Sequence, residues 1–367
     1  MRKIFRLACF AFFVSVFFAD INAASFSDSG EASWKIFQRA EVEFDSGNYG
    51  RALELANSAK AARNDESLYD YQTIDTAISV RQVIRAGDSF SGVISVLSER
   101  DEKNAVNIIN KYLEKYGIEY FSDSVQNMLS WIKERAVYPE ADYLIGKIYQ
   151  LEGEYDTALS FYEKARVNAD YLDIPDQLTD VLYSMAYIAR LKNNPENYEQ
   201  LLLLIINNDS SFKNQILLSS LLRTVDSDSA ANVDKFFLLY RSDNIRSVRA
   251  LYLLSELYSS IGEEELALKY TALAAVETFT HIFDTICERE SAYKYTTFAD
   301  FLDKCSEHDD IIRWGQNNYA WEIFFMFAQR CDLRGKTAFA EKLYFDMAEK
   351  MPDLYYKTIS QNKISKQ

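Results

Sequence analysis

Proline and glycine are scarce in this chain, 4 and 11 in 367 residues. Both residue types normally punctuate sheets and interdomain linkers, so their scarcity argues against an all-β fold and against separately linked domains. Histidine occurs only at positions 281 and 308, which leaves acid–base chemistry to carboxylates and rules out paired histidines on one helix face. There is no glycine-rich phosphate loop and no nucleophile elbow. The cysteines, Cys9, Cys287, Cys305 and Cys331, lack metal-ligand spacing and cannot build a disulfide framework. In an oxidising compartment Cys287 and Cys305 form the best candidate bridge; otherwise the last three read as small buried hydrophobes. Basic residues are also in deficit, 40 against 55 acidic, for a net charge of −15. Such a surface excludes nucleic acid and anionic membrane as the main partner, because both demand a positive field.

What is present is helix-forming Leu, Ala, Glu and Lys, with 25 Tyr and 24 Phe to fill gaps between helices and 48% hydrophobic residues for a core. Residues 1–23 read as an export signal: Arg2, Lys3 and Arg6 precede an apolar run from Leu7 to Ala19, and small residues follow at Ala23 and Ala24. The run is shorter than the ~20 residues a spanning helix needs. An uncleaved anchor is the alternative. Removal of this segment would deepen the acidic balance.

The informative signal is internal repetition. Around Gly153, small residues stand seven before (Gly146), five after (Ala158) and twelve after (Ala165). Two antiparallel helices meeting at a turn need small side chains at equal distances from it, because only these let the axes approach closely. Gly47 repeats the offsets with Ala40, Ala52 and Ala59, and Gly262 with Ser255, Ala267 and Ala274. Gly335 has Ala328 and Ala340. A fifth copy keeps Ala186 but places Asn193-Asn194 at the turn.

This pattern resembles the tetratricopeptide repeat, most fully over residues 139–172, clearly near 33–66, 248–281 and 321–354, and more weakly over 179–212. The resemblance implies an all-α, right-handed superhelical solenoid of about nine helix pairs across residues 24–354. Degenerate pairs are expected near 67–100, 101–138, 213–247 and 282–320, a last helix from about Asp353, and a polar tail over residues 355–367. It also implies a protein that holds another protein or a peptide along the concave side lined by first helices. Ten residues before each turn lies an aromatic: Phe37, Tyr143, Tyr183, Tyr252 and Phe325. With Lys147, Gln150, Arg190, Arg249, Glu256 and Gln329 these are the groove candidates; the competing reading is packing between repeats. A carboxylate clamp of the family's kind needs Asn at the inner positions, and this chain has Glu41, Lys147, Tyr187, Glu256 and Gln329 there.

Two short stretches carry enzymatic hints. Glu290-Ser291 resembles the Glu-Ser motif of lytic transglycosylases, which act on peptidoglycan, but the downstream Gly-Leu-Met-Gln type motif is absent. Glu307-His308-Asp309-Asp310 is a possible metal cluster, although consecutive loop residues rarely converge on one ion. The expectation is therefore a non-enzymatic scaffold with no cofactor or metal, exported to the periplasm or cell envelope, in which homo-oligomers are possible. The alternatives are a transglycosylase-like enzyme resting on Glu290 and a structural subunit of an envelope complex.

Overall fold

The computed structural model describes residues 31–81, 90–99, 101–116, 125–207, 215–241 and 245–365. The expected export segment, residues 1–23, lies outside them. Among the described residues every element is helical and no strand occurs. The chain divides into two compact units, residues 1–181 and 182–367.

In the first unit, α1 (Ser33–Asp45) packs on α2 (Tyr49–Arg81), α3 (Phe90–Glu99) on α4 (Lys103–Tyr116), and α6 (Pro139–Leu151) on α7 (Tyr155–Val167). The single helix α5 (Val125–Glu134) lies against α2. From Arg51 to Arg81 the chain offers neither glycine nor proline to stop α2, which runs for 33 residues. Its first half shares a core with α1 and α6 through Ala52, Ala56 and Ala59, packed with Ala40, Ala141 and Ile145. Its second half shares another with α3, α4 and α5, where Ile74 and Ala77 meet Leu97, Ile109, Met128 and Ile132. In the interval 67–100, where a helix pair is expected, α2 continues to Arg81 and α3 runs from Phe90 to Glu99.

Helix α8 (Gln177–Leu191) crosses the division. The second unit continues with α9 (Pro195–Asn207), α10 (Gln215–Asp226), α11 (Ala231–Leu239), α12 (Ile245–Ser260) and α13 (Glu264–Arg289). It ends with α14 (Phe298–Cys305), α15 (Asp309–Asn317), α16 (Ala320–Leu333), α17 (Thr337–Lys350) and α18 (Leu354–Ile364). Pairs α12/α13 and α16/α17 pack along their lengths, and α13 also lies on α16. The last helix expected from about Asp353 is α18, which takes up residues 355–364 of the expected tail, packs on α17, buries Ser360 and is capped by Asp353 Oδ1, acceptor for the amides of Tyr355 and Tyr356. Cys287, Cys305 and Cys331 are unbridged, and the last two are buried; burial pushes their thiols up.

The turns show why the repeat was readable. Gly47, Gly153, Gly262 and Gly335 have φ between 71° and 84°, and Asn193 stands at 53°. In each turn the amide of this left-handed residue donates to the carbonyl three back, and the next amide to the carbonyl five back: Gly153 to Gln150 and Glu154 to Tyr149. That is the Schellman C-cap, which satisfies two orphan carbonyls and needs a residue that tolerates positive φ. The following carbonyl then opens the next helix, as Glu154 accepts from Ala158. Asp101 (φ 60°) closes a sixth turn with the same two bonds, to Ser98 and from Glu102 to Leu97. At Asn193 we predict that Asn193→Gly keeps or raises the melting temperature, whereas Asn193→Ala lowers stability by about 1 kcal/mol through backbone strain alone. Equal melting temperatures would contradict a left-handed requirement.

Candidate functional site

In the first unit the structure brings together three of the four groove candidates. Tyr143, Lys147 and Gln150 follow a helical spacing on α6. Lys147 Nζ stands 4.3 Å from the Phe44 ring centroid and 5.7 Å from that of Tyr143. Gln150 Oε1 accepts from the Tyr162 hydroxyl at 2.7 Å, and the Tyr143 and Tyr162 rings lie 5.7 Å apart. Burial, then the neighbouring Asp45, raises the Glu41 carboxyl, and Lys147 opposes both. Phe37 is different. It is buried, with its ring 5.2 Å from Tyr138, and belongs to the α1–α2–α6 core.

In the second unit the candidate aromatics bolt one helix to another. The Tyr183 hydroxyl on α8 donates to the Arg246 carbonyl at 2.7 Å and accepts from the Ala250 amide at 2.9 Å. Arg249 covers the Tyr183 ring at 5.2 Å. The Tyr252 hydroxyl on α12 donates to Glu322 on α16 at 3.1 Å, and Phe325 on α16 lies 5.9 Å from Tyr356 on α18. Burial raises the Tyr252 hydroxyl, with Glu322 next in effect. Arg190 is exposed and acts on Tyr198, whose hydroxyl burial raises and Arg190 and Arg249 lower. Glu256 pairs with Arg330 at 3.2 Å, and Gln329 is half-buried on α16.

Beside each bolted ring stands an exposed one that the offsets did not single out for its exposure. Tyr187 lies one turn beyond Tyr183 and is 48% exposed. Tyr319 stacks on Tyr252 with centroids 5.3 Å apart and planes at 9°, and Tyr355 packs edge-on against Tyr356 at 5.0 Å. Tyr319 takes φ 60° at the start of α16, a conformation costly for a bulky side chain. The strained backbone holds its ring on Tyr252 while leaving it 45% exposed.

Glu290 is engaged on both oxygens: Lys304 Nζ lies 2.7 Å from Oε2 and His308 Nε2 3.2 Å from Oε1. Its carboxyl is held below the ordinary value, chiefly by Lys304, whereas a glycosidase general acid needs a raised one. The Glu307–Asp310 stretch disperses. Glu307 turns to Lys304, His308 to Glu290, and Asp310 to Arg289 through two bonds of 2.9 and 2.5 Å. The Arg289 fork lowers the Asp310 carboxyl to about 2.

No family model matches the chain. It is 29% identical over 340 residues to an uncharacterized protein of Treponema pallidum, a match that covers 92% of this chain and 90% of that relative. An uncharacterized protein of Borreliella burgdorferi is 24% identical over 232 residues, covering 56% of this chain and 71% of its own length. Among the described residues no helix is long and apolar enough to cross a membrane.

Proposed function

We propose that this chain is a tetratricopeptide-like scaffold that holds a protein or peptide partner in the cell envelope after export, without catalysing a reaction. The observation that carries the reading is the set of exposed rings of the second unit: Tyr319 stacked on Tyr252, Tyr355 edge-on against Tyr356, and Tyr187 one helical turn beyond Tyr183. Rigid, half-exposed aromatics give large contact area at low entropic cost and are the residues from which interface hot spots are built. The regular turns support the same reading, since stacked helix pairs present extended binding faces. The groove candidate Tyr252 then backs the Tyr319 ring directly, while Phe325 supports Tyr356, on which Tyr355 packs.

The test separates contact from stability. Tyr319→Asn keeps a residue that tolerates positive φ, and Tyr355→Ala trims a ring that is 66% exposed. Each should leave thermal stability within about 1 kcal/mol of wild type. Together they should abolish photo-crosslinking in intact cells to the partner trapped from position 187. Unchanged crosslinking yield to the same partner would sink the proposal. Release of muropeptides from peptidoglycan by the purified chain, lost in Glu290→Gln, would favour the enzymatic alternative instead.

A further inference from the structure

Four cations from separate parts of the first unit converge on one cavity of about 260 Å³. Arg63 comes from α2, Lys111 and Lys115 from α4, and Arg135 follows α5, with Trp131 and Tyr171 as aromatic walls. Both guanidiniums are held by stacking: Arg63 lies 4.1 Å above the Tyr138 ring and Arg135 4.5 Å above Trp131. Stacking fixes the plane of an arginine fork without consuming its in-plane donors. Arg63 Nε also donates to Ser33 Oγ at 3.1 Å.

The neighbouring carboxylates do not close on these forks. Asp173 and Glu66 stand 3.7 and 3.8 Å from Arg63, and Asp70 3.7 Å from Arg135. Charge-assisted hydrogen bonds of this type run about 2.7–2.9 Å. The same chain makes them elsewhere, Arg289 with Asp310 at 2.9 and 2.5 Å and Arg166 with Glu163 at 2.8 and 2.5 Å. Around the cavity the carboxylates form ion pairs at 3.7–3.8 Å without a bidentate hydrogen bond to either fork; Arg63 is also engaged by Ser33 and the Tyr138 hydroxyl, and the Arg135 fork by Asp70 alone among the described carboxylates. Burial lowers the proton affinity of the Arg135 guanidinium; Asp70 opposes this and the nearby Arg63 charge adds to it. Two like charges, planar, stacked and half-buried, are stabilised by an oxyanion placed between them.

We propose that this cavity binds a small, multiply charged oxyanion, phosphate-bearing or polycarboxylate, in the forks of Arg63 and Arg135 with Lys111 and Lys115 at its mouth. The site is separate from the aromatic rings proposed above to hold a protein partner. The volume admits a ligand about the size of pyrophosphate or citrate, being below the roughly 300–1,000 Å³ of drug-sized pockets. Glu114 and Asp173 also line the wall, so a bound anion must sit against the forks and clear of these carboxylates. Lys115 is positioned by the Asp170 carbonyl, 2.8 Å from its Nζ, and Lys111 is exposed.

Isothermal titration of the full-length chain with inorganic phosphate, pyrophosphate and citrate tests this directly. Saturable binding that weakens with added salt is expected for pyrophosphate or citrate, and which of them binds tells the phosphate source from the carboxylate one. Arg135→Gln should weaken it at least tenfold, as loss of a bidentate charged contact does. Lys111→Gln, at an exposed position, should weaken it several-fold and covers the case in which Arg135→Gln misfolds. Arg289→Gln, whose fork belongs to the second unit, should change nothing. No saturable binding of any of the three below about 10 mM, or binding that both cavity variants leave intact, overturns the assignment.

Discussion

Gly146→Val should destabilise the first unit by about 3 kcal/mol, the upper end of overpacking costs. Gly146 lies in α6 where the helix meets α7. A Cβ added there would fall 2.5 Å from Cε1 and 2.6 Å from Cδ1 of Tyr162. That ring cannot swing aside, because Tyr162 is fully buried, its hydroxyl is bonded to Gln150 and its face meets Tyr143. Alanine would gain about 1 kcal/mol of helix propensity against the clash; valine adds two more methyl groups and gains less. For a unit of this size the melting temperature should fall by roughly 6–12 °C. Gly50→Ala is the control, since Gly50 is also helical and an added Cβ there meets nothing within 4 Å. It should raise stability by about 0.5–1 kcal/mol. If the two variants melt alike, the close approach of α6 to α7 is not as described.

Phe237→Ala should cost the second unit about 3–5 kcal/mol. The side chain is fully buried on α11. Its ring centroid lies 4.9 Å from Phe279, 4.4 Å from Phe298 and 6.0 Å from Phe324, so one residue joins α11 to α13, α14 and α16. Truncation leaves a cavity among rings that are themselves anchored, which limits relaxation. Denaturant unfolding followed by the fluorescence of Trp314 and Trp321 reports on this unit. Tyr355→Ala, exposed on α18, should by contrast shift stability by no more than about 0.5 kcal/mol. A Phe237→Ala midpoint indistinguishable from that of Tyr355→Ala would rule out the shared aromatic core.

The turn positions were readable because a left-handed residue leaves a compositional trace. The glycines at 47, 153, 262 and 335 and the asparagine at 193 all take positive φ. Their small partners are buried, Ala40, Ala52, Ala158, Ala267 and Ala328 among them. The turn at Asp101 leaves no such trace, because its left-handed residue is an aspartate and its partners are large. At its seven-before, five-after and twelve-after positions stand Ile94, Val106 and Leu113, large side chains that pack in the α2–α5 core where the template asks for small ones. The template also has a fixed length, whereas a helix ends only where something ends it. With no breaker present, α2 and α13 run on to Arg81 and Arg289.

Of the candidate site, the offsets gave the face and not the depth. They could not tell that Tyr252 is bolted to Glu322 while Tyr319, outside the template, carries the exposed ring. Nor does anything local tie Arg63 to Arg135. Only the long α2, with α4 and α5 beside it, sets their forks around one cavity.

That long helix bears on how the first unit comes apart. In a simple repeat array each repeat touches only its neighbours, so unfolding can spread inward from the ends one repeat at a time. Here α2, about 50 Å long at the usual rise, contributes to both cores, contacting α1 and α6 near its start and α4 and α5 farther along. Loss of α2 dismantles both cores at once. Amide hydrogens of α5 and α6 should therefore exchange at a common, high opening free energy instead of a graded series, with the first unit behaving as one cooperative block.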